Sequence, residues 1–172
     1  EDVETAFGPG GTMDLVLKLQ QKGLVRKIGF SAHSERAALE AQVRELGLEA
    51  VVQLPGYAEN PYAALARARL LVLSSAWEGF GNVLVEALAL GTPVIATDCP
   101  SGPREILRDG AYGVLCPVGD PDRLAQAMLA ELRQPEKTAP DFPAATYTAE
   151  TVARQYRAVL FPAETAVPEA AR

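Results

Sequence analysis

A chain of 172 residues, 48% hydrophobic with a mean hydropathy of +0.03, is long enough to bury a sizeable core and reads as one soluble globular domain. A formal net charge of −6 and a pI near 4.9 exclude the broad basic footprint of a nucleic-acid binder or of a protein held on an anionic membrane. Cys99, Cys116 and the single His33 are too few for a four-ligand zinc site, so the cysteines read as small core residues in a reducing compartment. No signal-peptide pattern and no apolar run of about 18 residues occurs, which points to a soluble chain on the cytoplasmic side. The chain opens on Glu1 rather than methionine, and the expectation is a fragment or processed chain whose partner domain is absent.

From Val25 onward, short β-rich runs alternate with longer helical patterns, which predicts βαβ units and a parallel sheet. The strand candidates are Val25 to Phe30, Ala50 to Leu54, Leu70 to Ser74, Thr92 to Ala96 and Gly113 to Cys116. Several are continuous apolar runs, as expected of strands covered by helices on both faces. "SERAALEAQVRELG" is predicted as a crossover helix with Ser34 as N-cap, a stripe of Leu39, Val43 and Leu46, and Gly47 as its stop. "NPYAALARA" supplies a short helix. "NVLVEALAL", apolar all round, is expected to lie deep in the domain and to end at Gly91 and Pro93. Asp120 caps "PDRLAQAMLAELR" with Pro121 at the first helical position. The chain then breaks at "QPEKTAPDFP", a final helix "AETVARQYRAVL" follows, and residues 161–172 read as a disordered tail. The domain proper is therefore placed at 34–160, after an atypical N-terminal segment, 1–33.

The predicted strand "LLVLS", the turn "SAWEGFG" and the following helix form a unit whose turn lies where ligands bind in a doubly wound sheet, beyond the carboxyl ends of the strands. Gly79 and Gly81 permit a tight turn and close ligand approach, and the amides of Phe80 to Leu84, with the helix dipole, suit a phosphate. The alternative is a plain tight turn with Phe80 plugging the core. Glu86, in the middle of an apolar helix, should be buried and in need of partners. A helical side chain leans toward its own N-terminus, so the carboxylate points back to the mouth and can accept hydrogen bonds from a vicinal diol such as a ribose. The other reading of Glu86 is an internal ion pair with a base such as Arg104, or a cap on backbone. Trp77 is expected to pack, and His33 to be a loop residue without assigned chemistry.

"EGFGNVLVEALALGTPVIATDCPSGPREI", with two glutamates separated by seven residues, resembles the donor-binding motif of the retaining GT-B glycosyltransferases of group 1. The resemblance runs from about Ser34 to Leu132, taking in "VVQLPGYAENPYAALARARLLVLSS" and "GVLCPVGDPDRLAQAM", while "TYTAETVARQYRAVL" resembles the closing helix. It implies an α/β fold with a Rossmann-like parallel sheet flanked by helices, one half of a GT-B fold, that holds a nucleoside-diphosphate sugar. Transferred residue by residue, it implies Glu78 as the catalytic residue touching the donor sugar, and Gly79, Phe80, Gly81 and Asn82 as donor-binding through their amides. Glu86 falls on the ribose, and Gly56 and Tyr57 fall beside the base. Ser101 and Gly102 lie in a loop that nears the sugar in the family. No cofactor and no metal are implied, since no Asp-X-Asp pair stands near the site. The implied partners are the nucleotide-sugar donor and an absent N-terminal acceptor domain, without nucleic acid, any peripheral membrane contact falling to the absent half. "TDCPSGPREIL" is most similar to bacterial members that extend lipopolysaccharide, lipid-linked or other surface glycans.

Two departures qualify the resemblance. The family's Gly-Arg and lysine, which neutralise the departing diphosphate, have no clear counterparts in "EDVETAFGPGGTMDLVLKLQQKG", where Lys18 and Lys22 do not fall at the lysine position. Leu17 to Ser34 locally resembles a strand region of aldo-keto reductases, with nothing downstream to continue that likeness. The alternatives to a transferase half are therefore a catalytically incomplete nucleotide-binding module and a structural remnant.

Overall fold

The computed structural model describes residues 28–29 and 36–162. The atypical segment 1–33 is outside that range except for Ile28 and Gly29, as are Ser34 with its predicted capping role, His33, Lys18, Lys22 and the predicted tail from 163 onward.

Each short strand is followed by a helix and then by a parallel neighbour. β1 (Ile28–Gly29) leads to α1 (Arg36–Glu45) and pairs with β2 (Val52–Gln53), Ile28 opposite Val52. After α2 (Tyr62–Arg67), a second sheet runs β3 (Leu71–Leu73), β4 (Val94–Thr97), β5 (Val114–Cys116), with β4 in the centre. Leu71 stands opposite Val94, and Ile95 opposite Val114. α3 (Asn82–Ala89) crosses from β3 to β4, and α4 (Pro103–Ile106) from β4 to β5. α5 (Pro121–Leu132), a 3-10 turn (Ala144–Tyr147) and α6 (Ala149–Leu160) close the described chain. This is the expected α/β architecture of parallel strands flanked by helices. Among the described residues its strands are hydrogen-bonded as two sheets rather than one.

All four residues of β4 are buried, and their alternation explains how. Val94 and Ala96 join Leu84, Ala87 and Leu88 of α3, together with Ile106, Leu107 and Phe142. Ile95 faces the other way, onto Cys116 and onto Leu124 and Met128 of α5. A strand covered on both sides has no polar face to offer, hence its unbroken "VIA" run.

The helix signals work as their chemistry requires. Gly47 takes φ +62°, and the Leu48 amide returns to the Val43 carbonyl at 2.9 Å, so α1 stops where left-handed backbone is available without a Cβ penalty. Leu39 and Val43 of its predicted stripe are buried, and Leu46 is half-buried. Asp120 accepts from the Arg123 amide at 2.9 Å and Pro121 occupies the first helical position.

α3 departs from expectation. Leu84, Ala87 and Leu88 form its buried face, whereas Val83, Val85 and Glu86 are half-buried and Asn82 and Ala89 are exposed. An eight-residue helix packed on one face of a sheet turns part of its circumference outward even when the sequence is apolar.

The break "QPEKTAPDFP" fastens the amino edge of the second sheet. Lys137 Nζ donates to the Ala66 carbonyl and to Thr92 Oγ1, both at 2.8 Å, and Thr92 Oγ1 donates to the Leu65 carbonyl at 2.7 Å. Arg69 donates to the carbonyls of Glu131 (3.2 Å) and Gln134 (2.7 Å). These cations close the chain over the edge where β3 and β4 begin. The edge where they end carries the candidate site.

Candidate functional site

Beyond β3 the chain turns through Ser74 to Gly81 before α3 begins at Asn82. Gly81, the N-cap position, has φ +87°, left-handed backbone that favours glycine, although a Cβ there would make only an ordinary contact with Leu73 Cδ2 at 3.5 Å. Gly79 differs. Its φ lies outside the left-handed region, and a Cβ built on it would meet nothing within 4 Å. Among the described residues no contact therefore accounts for its lack of a side chain. The Leu84 amide is committed to the Gly81 carbonyl at 2.9 Å, which corrects its place among the free amides. The amides of Gly79, Phe80 and Asn82 have no acceptor among the described residues and stand at the positive end of the helix.

Glu78 is half-buried and held. Ser75 Oγ donates to Glu78 Oε1 at 2.6 Å. Ser75 is itself fixed, its carbonyl accepting from Thr97 Oγ1 at 2.5 Å, with the Leu73 carbonyl at 3.3 Å from the same hydroxyl. Buried Thr97 ends β4, so the central strand reaches across to the turn. Neither Ser75 nor Thr97 was singled out in the sequence, because a bond between side chains three residues apart in a turn leaves no distinctive pattern. Buried Cys99, two residues past β4, is also close by. Burial pushes its thiol above the ordinary value of 9.0, and the Glu78 carboxylate raises it further.

Glu86 is half-buried rather than buried, because it sits at the border of α3's packed face. Its carboxylate has no hydrogen bond or ion pair among the described residues. Arg104 is engaged elsewhere: Nε donates to Asp98 Oδ1 at 3.0 Å, one terminal nitrogen meets Asp98 Oδ2, and the other donates to Asp109 at 2.9 Å. The internal pair of Glu86 with Arg104 is therefore not formed. A carboxylate at this depth reaches water and needs no protein partner, which removes the demand for one that its apolar neighbours suggested.

Gly102 ties a second loop to the turn. With φ +83°, it lies so close to Phe80 that a Cβ would come within 1.9 Å of the Phe80 carbonyl oxygen. The Ser101–Gly102 loop thus crosses directly against the backbone of the Gly-Phe-Gly turn. The Phe80 side chain packs against the core, its ring centroid 6.1 Å from that of Tyr147, which stacks on Phe142 at 5.4 Å. Phe80 plugs the core and offers the site only its backbone. The aromatic support from Phe142 and Tyr147 was not anticipated.

An open depression of about 770 Å³ lies beyond β4, lined by Asp98, Cys99, Ser101, Gly102 and Arg104 among others. Glu78 and Glu86 are outside its lining. The turn and this depression meet at Gly102, and the conjunction of carboxylates and amides favours the turn as the binding element. Gly56 has φ +78° and Tyr57 is 94% exposed, and no hydrogen bond or ring contact joins either to residues 78–86 among those described. Trp77 is 74% exposed, not packed as expected, because its neighbours in the turn have left the sheet. Among the described residues no three His, Cys, Asp or Glu side chains cluster as a metal site.

Residues 14–145 match the family described as glycosyl transferases group 1, a span that takes in residues 14–33 as well as the motif. The Campylobacter jejuni N-acetylgalactosamine-N,N'-diacetylbacillosaminyl-diphospho-undecaprenol 4-alpha-N-acetylgalactosaminyltransferase is 39% identical over 90 residues, covering 52% of this chain and 25% of that protein. The Mycobacterium leprae phosphatidyl-myo-inositol mannosyltransferase is 36% identical over 117 residues, 68% of this chain and 25% of that protein. The structure superposes on a mutant of S. aureus TarM in complex with Fondaparinux, alpha-GlcNAc-glycerol and UDP, with a TM-score of 0.62 at 25% identity, covering 73% of this chain and 27% of that one. This chain thus spans about a quarter of the length of each of these proteins. A family match over three quarters of the residues establishes that the chain belongs to the group 1 glycosyl transferases.

Proposed function

We propose that this chain is the donor-binding half of a retaining glycosyltransferase, one that moves a sugar from a nucleoside-diphosphate sugar to a saccharide or lipid-linked acceptor in surface-glycan synthesis. The observation that carries this is the turn itself. Two carboxylates flank a helix start whose amides have no acceptor among the described residues, and between them stands Gly79, beside which a side chain would meet none of those residues within 4 Å. In this arrangement the amides of Gly79 to Asn82 receive the diphosphate, Glu78 binds the sugar hydroxyls and Glu86 the ribose diol. Gly56 and Tyr57 border the base. Support for the substrate class comes from the UDP in the TarM complex and from the diphospho-undecaprenol in the Campylobacter enzyme's name. Catalysis in the whole protein, on the cytoplasmic face, is then chiefly a matter of holding the donor and stabilising the departing diphosphate, without a metal or other cofactor. The acceptor side belongs to sequence outside these 172 residues.

The test is Glu86→Gln, read by titration calorimetry with ribonucleotide and 2′,3′-dideoxynucleotide forms of UDP and GDP. Losing a charge-assisted pair of hydrogen bonds should weaken ribonucleotide binding by about 1.5–3 kcal/mol, while dideoxynucleotide binding is nearly blind to the change. Thermal stability should hold, since the Glu86 carboxylate has no partner among the described residues to lose. Equal losses for both ligands, or a fall of several degrees in melting temperature, would remove Glu86 from the ribose.

A further inference from the structure

The Glu78 carboxylate is the end of a chain of hydrogen bonds that starts on the buried central strand. Thr97 Oγ1, at the end of β4, donates to the Ser75 carbonyl at 2.5 Å, and Ser75 Oγ donates to Glu78 Oε1 at 2.6 Å. The residues between, Ala76 and Trp77, are exposed, and so is Gly79 beyond. Without Ser75, the glutamate side chain in this turn would have no hydrogen bond among the described residues and would pay rotamer entropy on binding any ligand. With Ser75 in place one oxygen is pinned, and Oε2 is left to accept.

We propose that Ser75 is a positioning residue that aims Glu78 at the hydroxyls of the donor sugar, with Thr97 holding Ser75 in register. This rests on the sugar-contacting role of Glu78 in the proposed function. Ser75 acts on the ligand only through Glu78, and Glu78 touches the sugar and not the nucleotide. Its effect therefore falls on the part of the affinity that the sugar adds.

Titration calorimetry of the chain with UDP, UDP-glucose, GDP and GDP-mannose measures that part as the ratio of nucleotide to nucleotide-sugar dissociation constants. Ser75→Ala should lower the ratio by about three- to tenfold, the range of one lost hydrogen bond, and leave the bare nucleotide constant unchanged. Ser75→Thr keeps a hydroxyl and should restore the ratio. Ser75→Ala added to Glu78→Ala should change nothing further, because no side-chain acceptor is left at position 78 for Ser75 to aim. If Glu78→Gln lowers the ratio and Ser75→Ala does not, the positioning role is wrong and the sugar contact stands. If Glu78→Gln leaves the ratio intact, the sugar contact is wrong and Ser75 has nothing to aim. A parallel loss of nucleotide and nucleotide-sugar affinity in Ser75→Ala makes Ser75 a structural residue and overturns the proposal, and failure of the wild type to bind any of the four overturns both readings.

Discussion

Two glycines around the turn are glycine for different reasons, and substitution separates them. At Gly102 an alanine meets the Phe80 carbonyl at 1.9 Å on left-handed backbone, so Gly102→Ala should destabilise by about 2–4 kcal/mol in urea unfolding. At Gly79 the backbone is ordinary and the space is open, and Gly79→Ala should leave stability within about 0.5 kcal/mol. Its calorimetric nucleotide affinity should fall nonetheless, because the new methyl stands where the ligand would approach. Unchanged affinity would mean that the space is merely empty. "EGFG" is legible as a turn with carboxylates beside it, but the sequence does not record which glycine is left-handed and which is merely bare. Glu86 shows a related limit. Its sequence neighbours are apolar, yet helical rotation places it at the margin of the buried face, and linear context overestimates its burial.

Strands and helices were legible where a single physical signal dominated. β4 announced itself as an apolar run because helices cover both its faces, and α5 because Asp120 and Pro121 mark its start. α4 was missed, since four residues are too few to show helical periodicity, although Gly102 followed by Pro103 marks a helix entry. The strand ends hold the two buried thiols, and burial is the leading cause that pushes both above the ordinary 9.0, with the carboxylates of Glu78 for Cys99 and Asp120 for Cys116 adding to it. The folded state then keeps protons that the unfolded chain releases, so this contribution is intact below pH 9 and is lost as pH rises above it. Urea midpoints measured against pH should fall on the alkaline side, and Cys116→Ala should shallow that decline. An identical alkaline limb in the variant would show that the thiol does not contribute.

At the scale of the molecule, the two edges of the second sheet are built for different tasks. Arg69 and Lys137 donate to carbonyls at the amino edge, which fastens it, and the carboxyl edge keeps the turn, its amides and Glu78. Parallel α/β order was readable from alternating periodicities, whereas the division of the strands into two hydrogen-bonded sheets was not, because pairing between strands of two or three residues leaves no trace in the pattern. With phosphate charge assigned to amides, nucleotide affinity in calorimetry should be the same in EDTA as in magnesium or manganese. Affinity abolished by the chelator and restored by either ion would overturn the amide account. Trp77 is the one tryptophan in 172 residues, and it stands 74% exposed immediately before Glu78. The molecule therefore carries its own optical probe at the mouth of the turn: its intrinsic fluorescence arises from a single indole whose contact with water changes when a sugar or an acceptor half covers it, so occupancy can be followed without a label.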